Sequence, residues 1–202
     1  MEQYLSLNNY ILKTYGHKMY KLSLNGNMTC PNRDGTIGYG GCLFCSAGGS
    51  GEFTPPVKLS IDEQIEEAKK KVAGKSANVP EKGGYIAYFQ AYTNTYAPVS
   101  FLRELFTRVI NREDIGILSI ATRPDCLGED VLDLLEELNK IKPVWIELGL
   151  QTIHEESARK MRRGYSLEVY DKAVYELHKR NIKVITHLIL FWPGESREDM
   201  KK

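Results

Sequence analysis

The sequence lacks any apolar run approaching the roughly 18 residues a membrane-spanning helix needs, and Met1 to Asn9 has neither a basic flank nor an apolar stretch of signal-peptide length. These absences exclude a membrane-spanning class and lead to the expectation of a cytoplasmic protein. A surplus of one charge is missing too. The 27 Lys and Arg against 26 Asp and Glu leave a net charge of +1, which neither demands nor excludes a polyanionic partner. Cysteine is scarce, with four in 202 residues. Three of the four fall between positions 30 and 45, which does not fit a secreted disulfide scaffold and turns attention to metal or redox duty in a reducing compartment. No internal repeat and no break in composition marks a boundary, so one domain over 1–202 is expected.

What is present is an alternation of β-branched apolar runs with amphipathic stretches, the pattern of βαβ units in a parallel sheet. Strands are expected over Tyr20 to Leu24, Gly84 to Gln90, Ile115 to Ala121, Val144 to Leu150 and Ile182 to Leu190. Between them, Ser60 with Glu63 forms a capping box ahead of Ile61, Ile65, Ala68 and Val72 at helical spacing. Leu102, Leu105, Phe106, Val109 and Ile110 make a second helical stripe, and Val131, Leu134, Leu135, Leu138 and Ile141 a third. A fourth follows Ser166, with Val169, Ala173, Val174 and Leu177 inward, and a fifth starts at Glu195 and is cut short at Lys202. Ser46 to Pro56 and Lys75 to Gly84 read as polar loops. The fold class is therefore α/β, either an open sheet or a partial barrel, with ligands collecting at the carboxyl ends of the strands.

Directly after the first strand comes Cys30-Pro-Asn-Arg-Asp-Gly-Thr-Ile-Gly-Tyr-Gly-Gly-Cys-Leu-Phe-Cys45, which brings Cys30, Cys42 and Cys45 together on a glycine-rich loop. Three cysteines holding a cuboidal 4Fe-4S cluster leave one iron without a protein ligand, free to chelate the amino and carboxylate groups of a methionine moiety. Gly35, Gly38, Gly40 and Gly41 let the backbone wrap closely around a bulky inorganic core. The competing reading is a structural zinc site in which Cys126 or His17 joins the three cysteines.

The Cys-x11-Cys-x2-Cys motif, with Cys-Pro-Asn-Arg-Asp-Gly before and Gly-Gly-Cys-Leu-Phe-Cys after, resembles the YhcC/YtqA group of radical S-adenosylmethionine (SAM) proteins, related to the radical SAM domain of the Elongator catalytic subunit. The likeness continues through Tyr-Phe-Gln-Ala-Tyr-Thr-Asn-Thr-Tyr (88–96), Ala-Thr-Arg-Pro-Asp-Cys (121–126), Glu-Leu-Gly-Leu-Gln-Thr (147–152) and Arg-Arg-Gly-Tyr (162–165). It implies a partial (β/α)6 TIM-like barrel of radical SAM type, here truncated after about five β/α units, with a sixth strand and a C-terminal extension missing. It also implies a 4Fe-4S cluster, SAM as a small-molecule partner, and an electron donor of flavodoxin or ferredoxin type.

By the same likeness Phe44 lies beside the adenine, although simple packing serves equally well for it. Gln90, Thr93 and Asn94 occupy the place of the glycine-glycine-glutamate element that holds the methionine amino group in other radical SAM proteins. Thr122, Arg123 and Asp125 follow the third strand, where an arginine and a carboxylate can bind ribose hydroxyls or the SAM carboxylate, or merely pair with each other. Strand periodicity sets Glu147, Gly149 and Gln151 on one face, plausibly the barrel interior, where a buried glutamate needs a partner. The resemblance puts Glu147 and Gln151 in the SAM pocket, Arg163 at the SAM carboxylate, and Pro193 and Gly194 in a turn against the adenine. His187, alternating within the fifth strand, reads first as a satisfied core histidine, with a side chain facing the substrate as the alternative.

For the substrate, likeness to Elongator-type enzymes implies the wobble-uridine side chain of tRNA, with a small metabolite or a peptide as the alternative. A zinc-dependent nucleic-acid-binding module without catalysis is the reading from another class. Lys69, Lys70, Lys71, Lys75, Arg159, Lys160, Arg162, Arg163, Lys179, Arg180 and Lys183 are available as phosphate contacts or as solvated helix faces.

Overall fold

The computed structural model of the chain describes residues 4–75 and 79–201, so residues 76–78 of the loop expected between Lys75 and Gly84 fall outside it. Five strands, β1 (Tyr20–Leu24), β2 (Tyr85–Phe89), β3 (Ile115–Thr122), β4 (Val144–Gln151) and β5 (Lys183–Leu188), form one all-parallel sheet in sequential order. Parallel neighbours need crossover connections. These carry α2 (Ile61–Val72), α3 (Val99–Ile110), α4 (Glu129–Asn139), and, between β4 and β5, α5 (Glu155–Lys160) and α6 (Leu167–Lys179). This is a partial TIM-like barrel.

The two faces of the sheet are chemically distinct because side chains alternate along each strand. Leu22, Leu24, Ala87, Phe89, Leu118, Ile120, Val144, Ile146 and Leu148 point outward and join Ile65, Leu102, Phe106, Leu134, Leu135 and Leu177 of the helices in the main core. The inner face begins, at the amino ends of the strands, with a small second core of Ile86, Ile117 and Trp145. A helix not foreseen from the sequence, α1 (Leu7–Tyr15), inserts Ile11 into this core, and Tyr10 meets Trp145 edge to face with ring centroids 6.0 Å apart. Ser6 starts α1 by accepting from the Asn9 amide at 3.2 Å, and Gly16, at φ +78°, stops it. The amino end of the half-barrel is thus plugged, and the polar inner-face residues lie toward the carboxyl ends.

Some helical expectations need correction. Ile141 lies beyond α4 and is exposed, because the helix ends at Asn139, whose side chain accepts from the Val144 amide instead. Val169 is on the solvent side of α6; Tyr170, Ala173 and Leu177 provide its buried stripe. The helix expected from Glu195 is a single 3-10 turn over Asp199–Lys201, started by reciprocal bonds between Ser196 and Asp199.

Candidate active site at the carboxyl edge of the sheet

A cleft of about 330 Å³ opens at the carboxyl ends of the strands, and Cys30, Cys42 and Cys45 all line it. The loop that carries them is held in place by its own backbone. Arg33 and Asp34 amides donate to the Cys30 carbonyl, and the Gly41 amide to that of Asn32. Gly41 sits at φ +78°, the left-handed backbone conformation that favours glycine, with the Arg33 guanidine packed against it. The Arg33 guanidinium in turn donates to the Cys45 carbonyl at 3.2 Å and to that of Ser46. Asn32 fastens the loop to the far wall: its Nδ2 donates to the Arg162 carbonyl at 2.6 Å and to Cys42 Sγ at 3.3 Å. Burial pushes the Cys42 thiol up, while that Asn32 bond and the nearby Arg123 charge favour the thiolate.

The donor set fits an iron-sulfur cluster better than a single ion. Among the described residues no three His, Cys, Asp or Glu side chains gather closely enough to hold one metal ion. The three thiols instead share the rim of a roomy cleft, and an N–H donor already reaches one sulfur. Neither fourth ligand of the zinc reading is in the cleft. Cys126 lines a neighbouring cavity beside Asp125, and His17 bonds the Gly83 carbonyl at the other end of the sheet.

Of the residues singled out from the sequence, Phe44, Gln90, Thr93, Thr122, Arg123, Glu147 and Gln151 line this cleft. Four do not. Asn94 is buried, its Nδ2 tying the Phe89 and Ala121 carbonyls together where β2 and β3 end. Asp125 turns away to hold Arg123 through two bonds of 2.9 and 2.7 Å, the simple pairing that competed with a ligand role. Pro193 and Gly194 are exposed outside the cleft. Arg163 is the largest correction. It is 0% exposed, and its three nitrogens donate to the carbonyls of Leu150 (2.9 Å), Thr152 (2.6 Å) and Tyr165 (3.0 Å) and to Glu155 (3.1 Å). It organises the wall without facing a ligand. Tyr165, which the sequence offers only as part of the 162–165 motif, has the Arg123 and Arg163 guanidiniums 4.8 and 4.9 Å from its ring and donates to the Gly149 carbonyl at 2.7 Å.

Deeper on the inner face lies a polar cluster that the sequence reading saw only in part. Glu147, 3% exposed, accepts from Ser119 Oγ at 2.5 Å and pairs with Lys21 through Oε1, while Oε2 takes His187 Nε2 at 2.9 Å. Tyr88 also bonds Glu147, and its ring lies 4.1 Å from the Lys21 ammonium. His187 is therefore not a core histidine: its side chain is 42% exposed and lines the cleft. Lys21 and Ser119 were legible in principle, since alternation puts them opposite the outward Leu22 and Leu118.

Burial acts to raise the Glu147 carboxyl, but the His187 bond, the Lys21 charge and bond and the Ser119 hydroxyl outweigh it and bring the pKa to about 2. A carboxyl depressed from 4.5 to about 2 on folding contributes stability that is complete above pH 4.5 and is lost as pH falls toward 2. That shift corresponds to about 3 kcal/mol. Denaturant midpoints of the wild type and Glu147→Gln are accordingly expected to differ most near neutral pH and to converge in acid, with Lys21, His187 and Tyr88 the other titratable groups facing the carboxyl. A gap independent of pH would contradict the carboxylate network.

Many of the basic residues considered as phosphate contacts are paired with acids. Lys69 meets Glu66 and Asp114, Lys70 meets Glu67, Lys160 meets Glu156, and Arg180 meets Glu129 and Glu176.

Comparison with known proteins agrees with this architecture. The family model described as the Radical SAM superfamily matches residues 30–202. The uncharacterized protein YtqA of Bacillus subtilis (strain 168) is 45% identical over 199 residues, 98% of this chain and 61% of that protein. A tRNA uridine(34) acetyltransferase of Methanocaldococcus jannaschii is 36% identical over 85 residues, 42% of this chain and 15% of that protein. Among solved structures, the archaeal Methanocaldococcus infernus Elp3 with an N-terminal deletion superposes with a TM-score of 0.59 at 18% identity, over 91% of this chain and 40% of that one, which shows a shared fold. The chain spans about three fifths of the length of the curated relatives that it matches along nearly its whole length. By the family match, by the whole-chain identity to YtqA and by its fold, the chain belongs to the radical SAM superfamily, in the group that includes YtqA.

Proposed function

We propose that Cys30, Cys42 and Cys45 hold a 4Fe-4S cluster and that the adjoining cleft binds SAM for reductive cleavage, with the electron supplied by a flavodoxin- or ferredoxin-type donor. The observation that carries this reading is the convergence of three thiols on one cleft at the carboxyl edge of a parallel sheet. When bound, a cluster with one iron free of protein ligands supplies the electron that splits SAM into methionine and a 5′-deoxyadenosyl radical, which abstracts hydrogen from substrate. The chain's own contribution is placement. Arg123, fixed by Asp125 and by the Arg163 carbonyl, brings positive charge to the cleft wall for the SAM carboxylate, and Gln90, Thr93, Thr122 and Gln151 offer hydrogen bonds to its polar groups. Phe44 gives the rim an apolar surface for the adenine ring. For the substrate, we favour a uridine side chain of tRNA, supported by the similarity of part of the chain to the Methanocaldococcus jannaschii tRNA uridine(34) acetyltransferase.

Anaerobic reconstitution with iron and sulfide, followed by SAM and dithionite, tests this. A brown protein that forms 5′-deoxyadenosine, faster in the presence of bulk tRNA, is the expected result. Deoxyadenosine formation indifferent to tRNA moves the substrate to a small metabolite or peptide. A colourless protein with stoichiometric zinc and no deoxyadenosine overturns the enzyme reading.

A further inference from the structure

We infer that the floor of the cleft is a substrate subsite in which His187 Nδ1 accepts a hydrogen bond from an uncharged N–H or O–H group, such as a nucleobase edge or a sugar hydroxyl. The inference rests on the proposed radical SAM reading and adds to it where the substrate is held.

The tautomer follows from the partners. The Glu147 carboxylate only accepts, so the Nε2 that lies 2.9 Å from Oε2 carries the proton. In the neutral ring Nδ1 then keeps its lone pair, and among the described residues the structure gives that atom no hydrogen-bond partner. Glu147 itself has nothing left to offer a ligand: Lys21, Ser119, Tyr88 and His187 occupy it.

His187 is in register with Gly149 on the inner face of the sheet, in the same cleft that the three cysteines line. Charge sets the chemical class. The Lys21 ammonium and the Glu147 carboxylate cancel, so a phosphate or carboxylate finds no net attraction on the floor to offset its desolvation. A neutral group with a donor hydrogen finds the Nδ1 acceptor.

The test compares reconstituted wild type with His187→Leu, which removes both ring nitrogens, and His187→Asn, which retains an acceptor near the Nδ1 position. SAM affinity and tRNA-independent deoxyadenosine formation are expected to stay within about threefold of wild type in both variants, less than one neutral hydrogen bond is worth at its upper range. The tRNA-dependent kcat/KM is expected to fall about ten- to a hundredfold in His187→Leu, the effect of a substrate donor left unpaired, and to recover substantially in His187→Asn. Equal tRNA-dependent turnover in all three proteins overturns the inference. So does a large loss of SAM affinity, which would assign the floor to SAM. If tRNA fails to stimulate even the wild type, the substrate reading fails on its own, and the SAM measurements still decide whether His187 belongs to the SAM site.

Discussion

Cys42→Ala is expected to abolish 5′-deoxyadenosine formation down to the enzyme-free background and to cut bound iron well below the wild-type stoichiometry, with little change in melting temperature. The argument is one of replacement. Two thiolates cannot hold a cuboidal cluster, and nothing nearby takes the third place. Cys126 opens onto a different cavity, and His17 is at the far end of the strands. The loop survives because its fastening is independent of the thiol. The Cys45 amide still donates to the Cys42 carbonyl, the Leu43 amide to Met161, and Asn32 still reaches the Arg162 carbonyl. Iron analysis, the visible spectrum and product chromatography read the first effects, and circular dichroism the last. Full iron content in the variant would sink the ligand assignment.

The largest loss of stability is expected at Arg163. Removing a fully buried guanidinium strips the carbonyls of Leu150, Thr152 and Tyr165 of a charged donor and leaves Tyr165 with one stacking partner where it had two. Breaking a buried, multiply bonded charge of this kind costs about 3–5 kcal/mol. For a chain of this size that lowers the melting temperature by about 6–20 °C. Arg163→Lys is expected to recover little, because a point ammonium cannot serve three carbonyls and Glu155 in a forked arrangement. A ligand role would give the opposite signature, a stable variant with weakened SAM binding, so thermal melts of Arg163→Ala separate the two readings directly.

The five strands, the parallel sheet and the cysteine loop were legible because each rests on local chemistry: continuous β-branched runs between amphipathic helices, and thiols at fixed spacing after β1. The barrel wall was less so. Arg163 read as a ligand because the sequence shows a charge beside a glycine and not the three carbonyls that converge on it. Asn94 failed for the same reason, since its two acceptors come from the ends of different strands. His187 was misjudged in the other direction. A lone histidine in an apolar strand is usually enclosed, but β5 is the edge of this sheet, and its inner face borders the cleft instead of another layer. Lys21 pairs with Glu147 across 126 residues of chain, a distance over which periodicity carries no information beyond the choice of face. The helix α1 escaped notice because its buried contribution is the single residue Ile11.

That small helix has a further consequence. With Ile11 stopping the amino end against Ile86, Ile117 and Trp145, the half-barrel is a blind well along the strand axis. Along that axis the cleft is open to ligands from the carboxyl ends of the strands and closed to them from the amino ends.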